Sequence, residues 1–224
     1  RPVGGLGQIA AFSFCQDKIM TTGGEGGMLV TNDDEIWKKA WAIKDHGKSY
    51  DAVHSENHPA GFRWLHESFG TNMRMTEMQA AIGRVQLKKL TDWNKKRTNN
   101  AQRIAEALSK CPAIRIPMPD AHIQHAYYRL YAFVDDKRLK AGWSRDRIMN
   151  EINALGVPCF SGSCPEIYDE KAFDAAGLRP EAPLPNAASL GPTSLAFLIH
   201  PTLTADDIQR TCHAISTVMS SAAR

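Results

Sequence analysis

Ala10-Ala11-Phe12-Ser13-Phe14-Cys15-Gln16-Asp17-Lys18, continued by Ile19-Met20-Thr21-Thr22-Gly23-Gly24-Glu25-Gly26-Gly27-Met28-Leu29-Val30-Thr31, sets a lysine between two short apolar runs. Ser13 lies just upstream of that lysine and a glycine-rich turn just after it. Apolar runs of this length, interrupted by glycine, read as buried strands rather than helix. The stretch therefore predicts two strands over residues 9–31 with Lys18 in the turn between them. A lysine at the end of a buried strand is lifted out of water, which disfavours the ammonium and leaves an amine able to attack a carbonyl. The competing reading is a solvated lysine on a surface hairpin, the commoner fate of this residue type.

Beyond the hairpin, Asn32-Asp33-Asp34-Glu35 supplies a cap and first-turn acids for a helix near 33–45, with Ile36, Trp37, Ala40 and Ile43 on its apolar side. Residues 46–70 show no periodicity and read as a long loop, of the kind that is usually functional. His54 and His58 have the spacing of metal ligands on a helix, but Pro59 and Gly61 argue against a helix there, so no metal site is expected. Thr76 and Gln79 form a capping box ahead of Met78, Ile82 and Val85. Leu90, Ala101, Ile104 and Leu108 extend that pattern, predicting a core-facing helix to about residue 110, broken or bent near Thr91-Asp92.

Cys111-Pro112 closes this first region, and residues 111–224 read as a second one. Strands are expected at 113–116, 127–134, 156–160 and 194–199, with helices at 144–155 and after Thr204-Ala205-Asp206-Asp207. Strands and helices mixed without a regular βαβ alternation suggest an α+β domain. The whole is thus an α/β chain with a division at about residue 110.

The composition narrows the function classes. The chain has 224 residues, 27 basic against 24 acidic, for a formal net charge of +3. The basic residues are dispersed rather than striped, so there is no nucleic-acid footprint. No apolar run approaches membrane-spanning length. The five cysteines have no paired spacing, which suits a reducing, cytoplasmic compartment better than a disulfide framework.

Phe12-Ser13-Phe14, then Lys18 and the Gly24-Glu25-Gly26-Gly27 turn, resemble the cofactor-lysine segment of the DegT/StrS family of nucleotide-sugar aminotransferases. A second segment, Gly70-Thr71-Asn72-Met73-Arg74-Met75 with Gln79-Ala80-Ala81, is similar to that family's Gly-x-Asn-Tyr-Arg-Met-x-x-x-Gln-Ala-Ala motif, with Met73 where a tyrosine is usual. The resemblance implies the aspartate-aminotransferase type of fold, with residues 1–110 as part of the large domain that binds pyridoxal phosphate (PLP) and residues 111–224 as the small α+β domain. It implies that Lys18 forms the Schiff base with PLP and then acts as acid and base. It also implies that Ser13 bonds the cofactor phosphate and that Asn72 reaches the phosphate of a neighbouring subunit's cofactor, making a homodimer with a shared site. The implied substrates are glutamate and a nucleotide-linked keto-sugar. Arg1 would fall at the turn before the lysine strand, so the segment that in the family carries the partner of the pyridine nitrogen is expected upstream of it. Where many relatives have a His-Tyr segment near the sugar, this chain has Cys159-Phe160-Ser161-Gly162-Ser163, so the resemblance carries no sugar identity. Two other readings compete: a PLP-dependent sugar dehydratase on the same scaffold, in which the lysine is commonly replaced, and a non-catalytic dimerisation or binding fragment.

Overall fold

In a computed structural model, which describes residues 1–58 and 60–224, Ile9–Ser13 (β1) and Gly27–Thr31 (β2) pair antiparallel, with Ile9 opposite Thr31 and Ser13 opposite Gly27. The chain divides into two compact units, Arg1–Leu90 and Thr91–Arg224. The hairpin expected from the sequence is present, but its strands are not buried. Ile9, Phe12, Met28 and Leu29 all remain exposed. Phe12 and Val30 pack against the turn at Gly4, yet a two-stranded ribbon has two faces and cannot shield either by itself. Apolar composition records what a strand is able to bury, not what covers it.

The first helix, Asp34–Lys44 (α1), begins where the Asp33 carboxylate accepts the Ile36 amide at 2.9 Å. A five-residue helix, Tyr50–His54 (α2), interrupts the segment read as loop, and Ser49 caps it by accepting the Ala52 amide at 3.3 Å. Five residues are too few for periodicity to register. Tertiary contact fixes α2 instead: the Tyr50 ring meets Trp37 and Trp41 of α1 edge-on, with centroids 4.7 and 5.2 Å apart. His54 Nδ1 donates to the Tyr50 carbonyl at 2.9 Å; of the residues invoked against a metal site, Pro59 lies outside those described.

The capping box at Thr76 and Gln79 starts Glu77–Ser109 (α3). No break occurs at Thr91-Asp92. Both side chains are exposed, and a threonine or aspartate in mid-helix costs only about 0.5 kcal/mol. The helix is core-facing over part of its length only. Met78, Ile82 and Val85 are exposed, whereas Ala101, Ile104, Ala105 and Leu108 are buried.

The second unit contains Ile114–Arg115 (β3), Arg129–Val134 (β4), Arg145–Ala154 (α4), Cys159–Phe160 (β5), Lys171–Ala175 (α5), Pro185–Leu190 (α6), Ser194–Leu198 (β6) and Ala205–Ala222 (α7). Its sheet is antiparallel throughout in the order β3-β4-β6-β5. Leu130, Ala132 and Val134 alternate inward along β4, while β6 is buried on both faces from Ser194 to Phe197. Ile148 and Ile152 of α4 and Ile208, Ile215 and Met219 of α7 complete one core. Burying each such side chain stabilises by roughly 1.5–3 kcal/mol. Arg97 is buried as well, its Nη1 donating to the Tyr127 carbonyl at 3.0 Å.

Phe197 is fully buried on the central strand, and Phe197→Ala is expected to cost about 3–5 kcal/mol in denaturant unfolding. At the start of α7, hydrogen bonds from Thr204 hold the Asp207 carboxyl below its usual range. The depressed value means the contribution is present above the unfolded carboxylate's range and is lost as pH falls through the folded one. An acid titration of the melting temperature should show that loss in the native chain, and a smaller one in Asp207→Asn.

Candidate active site

The lysine turn is built around one carbonyl and one hydroxyl. At the end of β1 the Phe14 carbonyl accepts the Thr22 amide at 3.1 Å and the Thr21 and Thr22 hydroxyls at 3.2 and 3.4 Å. Thr22 is 1% exposed, and its Oγ1 also lies 3.1 Å from the Glu25 carbonyl. A Cβ on Gly26 would come within 2.3 Å of that oxygen, so only glycine fits there. The Gln79 amide then donates to the Glu25 carbonyl at 2.7 Å, fastening the turn to the first turn of α3. A residue read from the sequence as a cap thus also tethers the lysine loop.

Lys18 and Ser13 sit on this frame. The Lys18 amide donates to the Cys15 carbonyl at 3.1 Å, closing a tight turn. Its Nζ lies 3.3 Å from Asp17 Oδ1, with the two side chains 42% and 57% exposed. This corrects the expectation of a desolvated amine, because the flanking strands are exposed and the amine lies beside a carboxylate in contact with solvent. Such an exposed ion pair contributes about 0–1 kcal/mol. Ser13 Oγ accepts the Cys15 amide at 3.3 Å, which leaves its own proton available for donation.

Asn72 belongs to a different set of contacts in the same unit. The Thr71 and Met73 amides donate to the Ile43 and Lys44 carbonyls at 2.8 and 2.9 Å, satisfying groups left open at the end of α1. Asp45 and Asn72 form an antiparallel bridge across this seam. Two glycines permit the approach: Gly47, at φ +87°, where a Cβ would meet the Ser68 carbonyl at 1.8 Å, and Gly70, where one would meet Gly47 N at 2.4 Å. The Asn72 carbonyl oxygen accepts the Arg74 amide at 3.3 Å and Nε at 3.2 Å. Arg74, left without a role in the sequence reading, is therefore the neighbour that engages the Asn72 side chain.

In the second unit the segment near 159–168 is tied into the fold through the Cys159 thiol and its backbone, while Cys164 is exposed. Burial pushes the Cys159 thiol up to about 12, the Ser194 hydroxyl donates to the Ser161 carbonyl at 2.6 Å, and the Ser163 amide donates to Tyr131 Oη at 3.1 Å. Among the described residues no group of three or more His, Cys, Asp or Glu side chains could hold a metal ion, and no helix is long and apolar enough to cross a membrane. Thr22 and Asp45 are the residues of the first unit that sequence reading missed. A polar residue buried by tertiary contact carries no periodic signal.

A family model described as the DegT/DnrJ/EryC1/StrS aminotransferase family matches residues 1–216. The chain is similar to the spore coat polysaccharide biosynthesis protein SpsC of Bacillus subtilis, at 31% identity over 226 residues, covering 99% of this chain and 56% of that protein. It is also similar to the dTDP-3-amino-3,4,6-trideoxy-alpha-D-glucose transaminase of Streptomyces venezuelae, at 27% identity over 217 residues, covering 96% and 51%. Among solved structures it superimposes on an aminotransferase from Psychrobacter cryohalolentis with a TM-score of 0.93 and 58% identity, covering 98% of this chain and 58% of the other. The chain spans about half the length of the curated relatives it matches.

Thr22→Val keeps the shape of the buried side chain and removes its hydroxyl. It is expected to cost about 0.5–1.5 kcal/mol, the net worth of one hydrogen bond, because the Phe14 and Glu25 carbonyls keep other donors. Hydrogen exchange at the Phe14, Thr22 and Gly23 amides should speed up in the variant, and unchanged exchange would show that the hydroxyl does not hold the turn.

Proposed function

Because this chain belongs to the DegT/DnrJ/EryC1/StrS aminotransferase family, we propose that it carries the cofactor lysine and the small domain of a PLP-dependent sugar aminotransferase. The reaction moves an amino group from glutamate to a keto-sugar carried on a nucleotide. In this reading residues 1–110 belong to the large, cofactor-binding domain and residues 111–224 form the small one.

The donor set suits that cofactor. A primary amine meets the demand of an aldehyde, and a hydroxyl with a proton to spare meets that of a phosphate. Lys18 and Ser13 offer these two groups from opposite ends of one pinned turn, and this is the observation that carries the proposal. When bound, PLP supplies an electron sink that no side chain can provide. Lys18 Nζ would hold it and would serve as the acid and base that takes a proton from the substrate carbon or returns one. Ser13 Oγ donates to the phosphate. Asn72 Nδ2 donates to the phosphate in a second copy, so the working unit is a homodimer. Lys18 Nζ lies 3.3 Å from Asp17 Oδ1 in the present arrangement. Coverage of the hairpin's apolar residues by the remainder of the enzyme is what would desolvate it. Five free thiols and a chain without disulfides suit a cytoplasmic enzyme.

Borohydride reduction of the PLP-loaded full-length enzyme is expected to fix the cofactor on Lys18, read by peptide mapping; label on another lysine would refute the assignment. Lys18→Ala should abolish transamination with an unchanged thermal melt of the apoenzyme. Turnover at the native rate in that variant would remove the mechanism.

A further inference from the structure

We propose that Asp45, Arg74 and His46 form a positioning network that presets the side-chain amide of Asn72 as a donor to a phosphate ester. This rests on the reading above, in which Asn72 reaches a cofactor phosphate, and adds how that amide is aimed. An asparagine amide has an acceptor end and a donor end of nearly the same shape, so its partners decide which end faces outward. Among the described residues, both hydrogen bonds of the Asn72 side chain run through Oδ1, from the Arg74 amide at 3.3 Å and from Arg74 Nε at 3.2 Å. A guanidinium offers donors only. The acceptor end must therefore face Arg74, and Nδ2 faces away from it. Asn72 is exposed, so that donor is accessible.

Arg74 is itself fastened at two further points. Its Nη1 lies 3.3 Å from Asp45 Oδ1, and its Nη2 lies 3.4 Å from His46 Nε2. Because arginine only donates, His46 Nε2 is the acceptor in that contact. Asp45 is 9% exposed, and its Oδ1 has no hydrogen bond of good geometry. That oxygen is held by charge instead, with Lys48 Nζ at 3.8 Å in addition to Arg74; Lys44 Nζ approaches Oδ2 at 3.7 Å. A carboxylate whose side chain is only 12% exposed is a fixed anchor for a planar cationic fork. The backbone adds rigidity, since Asp45 and Asn72 are bridged and His46 is held in the left-handed region at φ 60°. A donor already aimed loses little rotamer freedom when an anion arrives. Asp45, His46 and Arg74 act through Asn72 and are positioning residues.

The test uses the full-length apoenzyme with two probes, PLP and pyridoxal. The second keeps the aldehyde for Lys18 and lacks the phosphate. Asp45→Asn, which keeps the shape and removes the charge, should weaken PLP binding about tenfold, the equivalent of one hydrogen bond to a charged group. Pyridoxal binding should stay within about twofold, well under one such bond. Arg74→Lys keeps a cation for Asp45 but loses the fork, and should show the same selective loss; it carries the comparison if Asp45→Asn does not fold. In an Asn72→Ala background, Asp45→Asn should produce no further change. Equal weakening of both probes, or a further tenfold loss in the Asn72→Ala background, overturns the proposal. Unchanged PLP affinity in Asn72→Ala overturns it at its target, while borohydride labelling of Lys18 would still stand.

Discussion

The Phe14 carbonyl, with three donors converging on it at the end of β1, is the constraint on which the candidate site depends. It closes the loop that carries Lys18 without using the lysine itself. Thr22 is the means: a buried hydroxyl bonded to carbonyls on both sides of the turn leaves the backbone little freedom, since opening it would strand those polar groups in a dry place. Gly26 is then a steric consequence of Thr22, and Gln79 ties the result to α3. The frame fixes the backbone that carries the lysine, whose Nζ reaches out to stand beside Asp17 Oδ1. That separation between a rigid frame and a reaching amine is what a residue that must hold and release a cofactor requires.

A second constraint organises the seam around Asp45. The chain returns after α2 so closely that Gly47 and Gly70 touch backbone to backbone, and the amides of residues 71 and 73 serve the open end of α1. Asn72 is delivered to a defined place by this return. Its side chain would still rotate in water were it not engaged by Arg74. A short polar side chain on a loop becomes a directed donor only when its acceptor end is spoken for.

Much of this was legible in the residues themselves. The hairpin announced itself through paired apolar runs around a glycine turn, α1 through the acids that cap it, and α7 through Thr204 and Asp207. The strands β4 and β6 of the second unit were readable because β4 alternates and β6 is apolar after Ser194. Three features were not legible. The continuity of α3 through Thr91 and Asp92 shows propensity overruled at a small cost. The helix α2 is held by aromatic contacts with α1 rather than by its own five residues. The exposure of β1, β2 and the first part of α3 depends on what packs against them, which no local pattern encodes.

What the linear order of residues determined by itself was the set of groups proposed for the chemistry: an amine at Lys18, a hydroxyl at Ser13 and an amide at Asn72, set in motifs similar to those of sugar aminotransferases. Chemical identity and chain spacing are local properties, so they can be read without coordinates. The tertiary structure alone decided the state and aim of these groups. Lys18 stands in solvent beside Asp17, and the Asn72 amide is oriented by an arginine and a buried carboxylate brought from another part of the unit. Solvation and orientation are set by which atoms lie within a few ångströms in space, and residues as far apart in the chain as Asp45 and Arg74 become neighbours only through folding.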